Sequence, residues 1–206
     1  MLIGGIAVIA HGVQRMTTDI DAVVQGDALP VATLIDFLRG HRIVPRVANA
    51  EAFAAANLVL LVRHQPTQVD LDLSFGWTAF EREALRACTS TRYGKLRAPI
   101  ARVDDLLVFK AIAGRPRDVE DAATLLTLYP NVDLRRVSRR VMELAELAEA
   151  PELTNGLEQI LAAVAALPRA PRVREATKPT RRAARTTPRA KKASKAKAPG
   201  RTRQRK

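Results

Sequence analysis

Apolar and polar positions along this chain follow two different spacings. Before residue 80, short runs such as "DIDAVVQ" (19–25), "NLVLLVRH" (57–64) and "QVDLDLSFG" (68–76) alternate or are continuously apolar, as in β-strands. After residue 100, apolar residues recur at helical spacing, which predicts helices over 103–113, 119–129, 134–148 and 153–166. Strands followed by helices indicate an α+β fold, in which a mixed β-sheet packs with helices and the C-terminal half is helical.

The remaining predicted elements are shorter. The diglycine Gly4-Gly5 is expected to turn a brief first strand into a helix over 6–12. The segments "LPVATLIDFLRGH" (29–41) and "AFEREALRAC" (79–88) have the amphipathic spacing of helices. A short edge strand is expected over 93–98.

Charge is distributed unevenly along the chain. Residues 169–206 hold 16 of the 34 basic residues and one of the 21 acidic residues, so the preceding part carries 18 basic and 20 acidic side chains. The basic segment has no apolar period, which predicts a folded domain over 1–167 and a disordered, Lys/Arg-rich tail over 168–206. Such a tail is a candidate arm for nucleic acid, and the ordinary alternative is a solvated extension.

Cysteine usage and the apolar opening bear on the compartment. Cys88 is the only cysteine, which excludes an intrachain disulfide. The opening "MLIGGIAVIA" lacks the basic start of a signal peptide and is too short to span a bilayer. These observations predict a cytoplasmic protein with no membrane partner.

Two pairs of aspartates interrupt the predicted strands. Asp19 and Asp21 lie two residues apart and therefore share one face of a strand, and Asp70 and Asp72 repeat the arrangement in "VDLDLS". If the two strands are neighbours, the carboxylates gather on one sheet face, where like charges repel unless cations bind. Carboxylates combined with substrate phosphates suit Mg²⁺. The ordinary alternative is a strand with one solvated face.

Two further features could belong to a phosphate site. Consecutive glycines such as Gly4-Gly5 let backbone N–H groups approach a phosphate closely, although most such pairs are plain turns. Lys110 lies on the apolar stripe of its predicted helix, where it either extends to the surface or meets a buried anion. Asp118 and Asp121 share one face of the next helix, either as cap and surface residues or as partners of nearby cations.

Other residues with reactive or aromatic side chains have simpler interpretations. His11 follows the diglycine and is expected to be packed or at the surface rather than at a phosphate. Trp77 comes directly after the second acidic strand, and it is expected to join the core, with base stacking as the alternative.

Three segments carry a resemblance to a known superfamily. "GGIAVIAHGVQRMTTDIDAVV" resembles the G-G/S…D-x-D signature of the polymerase-β-type nucleotidyltransferases, and its R-x-T-x-D-I-D form is similar to the AbiEii-like branch. "VDLDLSFGWTAFEREALRA" resembles the third-carboxylate strand of that branch and the helix after it. "VDDLLVFKAIAGRPRDVEDAATLL" resembles its most specific segment, D-L-hh-x-K-hh-A-G-R-x-R-D-h-x-D, in which h is an apolar residue. The tail has no counterpart in this branch.

The resemblance implies an activity and a metal site. Members transfer a nucleoside monophosphate from an NTP to a hydroxyl, and the acceptor here would be RNA, a protein or a small molecule. Asp19, Asp21 and Asp70 would bind Mg²⁺ or Mn²⁺, and Asp70 would also activate the attacking hydroxyl. The branch includes toxins of toxin–antitoxin pairs, which implies an antitoxin protein as a candidate partner. The alternative is a catalytically degenerate module with the same fold that binds nucleic acid through residues 169–206.

The resemblance also implies nucleotide contacts. Gly4 and Gly5 would hold the triphosphate of the NTP, and Lys110 would contact it. The residues expected to position these groups are Arg15, Thr17, Asp118 and Asp121.

Overall fold

The acid-bearing strand near the start of the chain forms one edge of a four-stranded mixed sheet. The computed structural model describes residues 1–27, 29–93 and 95–166. The spatial order of the strands is β1-β4-β3-β2, in which β1 and β4 are parallel and the other neighbours are antiparallel. The four strands are β1 (Asp19–Gln25), β2 (Ile43–Pro45), β3 (Val59–His64) and β4 (Val69–Gly76).

Helices make up most of the remaining described residues and dominate after residue 103. This arrangement confirms the predicted mixed α+β class and the helical C-terminal half. Within the described residues, one 3₁₀ turn, Pro151–Thr154, precedes the final helix of that part of the chain. The α-helices within the described residues are α1 (Gly4–Ala10), α2 (Val31–Gly40), α3 (Ala50–Asn57), α4 (Ala79–Ala87), α5 (Val103–Ala113), α6 (Pro116–Leu128), α7 (Leu134–Leu147) and α8 (Asn155–Ala166).

The buried apolar residues form two clusters, of which the first follows from the alternating pattern of the sheet. Ala22, Leu73 and Leu60 lie in adjacent strands, and they pack with Ile35 of α2 and Ala54 of α3. The second cluster joins α1 to helices α5 to α8, with fully buried side chains at its centre. Because apolar residues of β1 and β4 face the first cluster, the intervening aspartates must point to the opposite face.

The first three residues connect β1 to a separate two-stranded sheet. Leu2 forms single bridges to Ala22 of β1 and to Ile100. The backbone nitrogen of Leu2 donates to the Pro99 carbonyl at 2.7 Å, and that of Ile3 donates to the Asp21 carbonyl at 3.0 Å. This segment therefore fixes the position of the diglycine relative to the acidic strand.

Several predicted elements differ in detail from the structure. The single edge strand expected over 93–98 is an antiparallel pair, β5 (Thr89–Tyr93) and β6 (Leu96–Ile100). Strand β2 and helix α3 were not predicted, because β2 has three residues and α3 is an alanine-rich segment with little apolar periodicity. The helix expected from residue 119 begins at Pro116, which suits the first turn of a helix.

Two further predictions concern the tail and membranes. The predicted tail, residues 168–206, lies outside the described residues. Across the part of the chain that the structure describes, no helix is both long enough and apolar enough to cross a bilayer.

Candidate active site

The four predicted aspartates lie on one face of the sheet. In the parallel pair of β1 and β4, Asp19 is opposite Asp70 and Asp21 is opposite Asp72. Residues directly opposite each other in neighbouring strands project to the same side, and alternate residues of one strand share that side. The structure therefore brings the two acid pairs together, as the sequence predicted for neighbouring strands. We call these residues the acid face.

Two arginines bind the β4 carboxylates of the acid face. Arg63 of β3 is opposite Asp70, and its Nε and Nη2 donate to the two carboxylate oxygens at 2.5 and 3.1 Å. Arg46, directly after β2, forms an ion pair with Asp72 and places Nη1 3.6 Å from Asp70 Oδ2. Thus the carboxylates on β4 are paired with guanidinium groups in this structure.

The carboxylates on the acid face differ in acidity. Burial raises the pKa of Asp21, and the neighbouring charges of Asp19 and Asp72 raise it further. The hydrogen bond from Arg63 lowers the pKa of Asp70, with a further contribution from the charge of Arg46. Asp21 is therefore the more basic of these two carboxylates, whereas Asp70 is held in its ionised, weakly basic form.

The diglycine lies directly against the acid face. Gly4 has a φ of +56°, and a Cβ built there would lie 1.9 Å from Asp21 Oδ2. A Cβ on Gly5 would lie 2.5 Å from the Thr17 hydroxyl oxygen, which itself donates to Asp19 Oδ1 at 2.7 Å. Both positions require glycine because a larger residue would displace the groups that surround Asp19 and Asp21.

Lys110 is buried, and carboxylates from the next helix are its partners. Its Nζ donates to Asp118 Oδ1 at 2.6 Å and to Asp121 Oδ2 at 2.8 Å, and its side chain is only 5% exposed. Arg15 also pairs with Asp121, and Arg115 Nε donates to Asp118 Oδ2 at 2.6 Å. The lysine thus meets a buried anion rather than extending to the surface, although the anion is not one of the strand carboxylates.

This buried network adjoins the acid face. The positive charges of Arg115 and Lys110 act to lower the pKa of Asp21, against the larger effect of burial. Burial acts to raise the pKa of Asp118, but hydrogen bonds from Arg115 and Lys110 outweigh it, so that this pKa lies below its usual value. Asp118 is therefore an ionised partner for both cations.

The carboxylate oxygens of the acid face are chemically suited to bind a divalent cation. Only some of them are free to bind one. Carboxylate oxygens are the ligands that Mg²⁺ prefers, and Asp19 and Asp21 are not paired with an arginine or lysine in the described residues. Asp70 is paired with Arg63. Within those residues, no group of three or more His, Cys, Asp or Glu side chains is arranged to hold a metal ion.

Two other candidate residues have structural environments. His11 Nε2 lies 2.8 Å from the Ala101 carbonyl oxygen, and its ring packs edge-on against Tyr129. The histidine is therefore a packing residue, as predicted. Trp77 is 50% exposed, so the prediction that it belongs to the core was wrong; its neighbour Phe80 is buried instead.

Arg46 and Arg63 are the residues near the site that the sequence interpretation missed. A signal for Arg63 was present, because a four-residue turn between β3 and β4 places it directly opposite Asp70. Arg46 had no such signal, since it follows a three-residue strand that the apolar pattern did not predict.

Comparison with known proteins adds no family assignment. No protein-family model matches the chain, and no curated protein matches it with significant similarity.

Proposed function

We propose that this protein is a metal-dependent nucleotidyltransferase that transfers a nucleoside monophosphate from an NTP to a hydroxyl of RNA, protein or a small molecule. The observation that supports the proposal most directly is the pairing of β1 with β4, in which Asp19 is opposite Asp70 and Asp21 is opposite Asp72. Asp19, Asp21 and Asp70 beside a diglycine are the arrangement that the resemblance to the polymerase-β-type fold implies, and we propose that fold for this domain.

In this proposal, Asp19 and Asp21 hold the divalent cation, and Asp70 joins them once Arg63 releases its carboxylate. The chemistry supplied by bound Mg²⁺ would be neutralisation of charge on the phosphates of the NTP. Burial is the main cause of the raised pKa of Asp21, and the charges of Asp19 and Asp72 add to it; a bound cation would offset that repulsion between the carboxylates. The absence of a side chain at Gly4 lets the Asp21 carboxylate lie directly against the backbone of the diglycine.

Asp70 and Lys110 have narrower roles in the proposal. Asp70 can accept a proton from the attacking hydroxyl only after Arg63 releases it, because the hydrogen bond keeps its pKa low. The contact of Lys110 with a triphosphate stays a prediction. In the structure, its ammonium group fixes Asp118 and Asp121, and we propose that it positions Arg15 and Arg115 through them.

The activity is testable with labelled substrates. The full-length protein would be incubated with each labelled NTP, Mg²⁺, and either tRNA or whole-cell lysate, and labelled products would be separated by size. We expect a product with the wild type and with Asp36→Ala, because Asp36 is an exposed residue of α2 that pairs with Arg39. Asp19→Ala should give none. Equal labelling by Asp19→Ala and the wild type would refute the proposal.

A second candidate function is a catalytically degenerate module that binds nucleic acid. The observation that favours it is the pairing of Asp70 and Asp72 with arginines, which leaves two of the four carboxylates engaged. The basic residues of 169–206 would then supply the binding. Affinity should be independent of sequence, and log K should fall by roughly 0.9 per neutralised phosphate for each unit of log salt. Unchanged affinity after deletion of 169–206 would exclude this role.

The toxin interpretation is a proposal that depends on the family resemblance alone. Arrest of growth when the protein is expressed without a partner, and its relief by the product of a neighbouring gene, would support an antitoxin. Harmless expression of an active enzyme would contradict it.

A further inference from the structure

Arg63 occupies both oxygens of the carboxylate that a divalent cation would need. Its Nε and Nη2 lie 2.5 and 3.1 Å from Asp70 Oδ1 and Oδ2, in the two-nitrogen geometry that binds a carboxylate most strongly. The two residues are directly opposite each other in an antiparallel strand pair. The contact is therefore built into the register of β3 and β4.

The same contact keeps the carboxylate of Asp70 from binding a cation together with Asp19 and Asp21. Asp70 is opposite Asp19 on the acid face, yet its oxygens are turned to β3 rather than shared with β1. A cation and a guanidinium group that share the two oxygens of one carboxylate repel each other, and the guanidinium already takes one lone pair of each oxygen. Binding of one must weaken binding of the other.

We propose that Arg63 is an intramolecular competitor for the divalent cation at Asp70, so that the acid face is held in an inhibited state until this ion pair opens. The inference rests on the proposed function and adds a means by which the same site is regulated. It assigns to Arg63 a regulatory role that the motifs around Asp19 and Lys110 do not contain.

Arg63 can leave Asp70 without disturbing the core. Its side chain is 42% exposed, and Asp70 is 27% exposed, so both groups can be solvated when they separate. Arg46 stays paired with Asp72 and keeps its longer contact of 3.6 Å with Asp70 Oδ2, so the second carboxylate of β4 remains neutralised while Asp70 loses its closest partner. Only one of the two β4 carboxylates therefore has to change its partner.

The test measures Mn²⁺ binding by the full-length protein, with free Mn²⁺ followed by electron paramagnetic resonance. Arg63→Gln should bind Mn²⁺ about two- to fivefold more tightly, the range expected from the loss of an exposed ion pair. The matched control is Arg39→Gln, since Arg39 is an exposed arginine that pairs with Asp36 on α2, and its affinity should equal that of the wild type. Adding Asp70→Asn to Arg63→Gln should abolish the gain.

A second variant, Arg63→Lys, gives a result even if Arg63→Gln does not fold. Arg63→Lys keeps the positive charge but loses the two-nitrogen contact, so it should tighten binding less than Arg63→Gln. If circular dichroism shows that Arg63→Gln does not fold, the comparison of Arg63→Lys with the wild type decides the question. Equal affinity in that comparison would then overturn the inference.

The outcomes separate this inference from the proposed function. If Asp21→Asn abolishes Mn²⁺ binding but Arg63→Gln leaves the affinity unchanged or weaker, the competitor role is refuted and the metal site stands. If no variant and no wild-type protein binds Mn²⁺, both the competitor role and the proposed function are refuted.

Discussion

Replacing Lys110 with methionine should destabilise the fold, because the lysine is the buried cation between two buried carboxylates. Methionine preserves the apolar stem of the side chain and removes the ammonium group. Asp118 and Asp121 are 3% and 6% exposed at their side chains, and they lie 2.6 and 2.8 Å from Lys110 Nζ. Without the lysine, both negative charges stay buried with one partner fewer.

The size of the effect follows from this geometry. Removing one partner of a buried ion pair commonly destabilises a protein by about 3–5 kcal/mol. Here Asp118 keeps Arg115 and Asp121 keeps Arg15, which reduces the expected loss to about 2–4 kcal/mol. For a domain of this size, each kcal/mol lowers the melting temperature by about 2–4 °C. The melting temperature of Lys110→Met should therefore be roughly 5–15 °C below that of the wild type.

The measurement is urea unfolding followed by circular dichroism and by the fluorescence of Trp77, the single tryptophan. The matched control is Lys95→Met, because Lys95 is exposed in the turn between β5 and β6 and should lose little stability. A loss below about 1 kcal/mol for Lys110→Met, similar to a surface ion pair, would refute the buried-network interpretation. It would instead favour a Lys110 that is free to contact a nucleotide.

Three further predictions concern glycines and acidity. Gly4→Ala should destabilise by at least about 1–2 kcal/mol, because the φ of +56° is unfavourable for alanine and the new Cβ would overlap Asp21. Gly156→Ala should destabilise by about 1–3 kcal/mol or more, since its Cβ would lie 2.1 Å from a carbonyl oxygen of α5. Asp21→Asn should raise the melting temperature at neutral pH, because burial and the neighbouring charges of Asp19 and Asp72 disfavour the ionised form of Asp21 in the folded protein. All three are measured by thermal and urea unfolding.

The controls and the pH dependence make these predictions specific. Gly40→Ala should be nearly neutral, because a Cβ there meets no atom within 4 Å. An acid whose pKa is raised by folding binds more protons in the folded state, so its contribution to stability falls as the pH rises through the folded pKa. The gain from Asp21→Asn should therefore vanish below the usual pKa of 3.8. A gain that is equal at acidic and neutral pH would contradict the assigned cause.

The alternating pattern around Asp19 and Asp70 was enough to predict the two strands and to predict that the aspartates of each strand share one face. Side-chain alternation is a local property of each strand, so it can be read without knowing the neighbours. Helix α5 was also predicted with its observed bounds, 103–113, because an apolar stripe and the glycine after it mark both ends.

The alternating pattern could not predict which strands pair or which residues form ion pairs. The neighbour of β1 is a strand about fifty residues later, and the local pattern holds no information on that choice. Lys110 was placed on an apolar stripe, but whether its partner is a strand carboxylate or Asp118 depends on how α5 and α6 cross. The roles of the acid face in catalysis and metal binding stay predictions.

The short segment Met1–Ile3 has a consequence for self-association. It pairs with the outer side of β1, where the backbone nitrogen of Val23 donates to the Met1 carbonyl at 2.8 Å. At the opposite edge of the four-stranded sheet, β2 has three residues and ends in Pro45, which has no backbone N–H to offer. Both borders are thus poor templates for an incoming strand, so copies of this protein that meet at high concentration should resist amyloid-like stacking through this sheet.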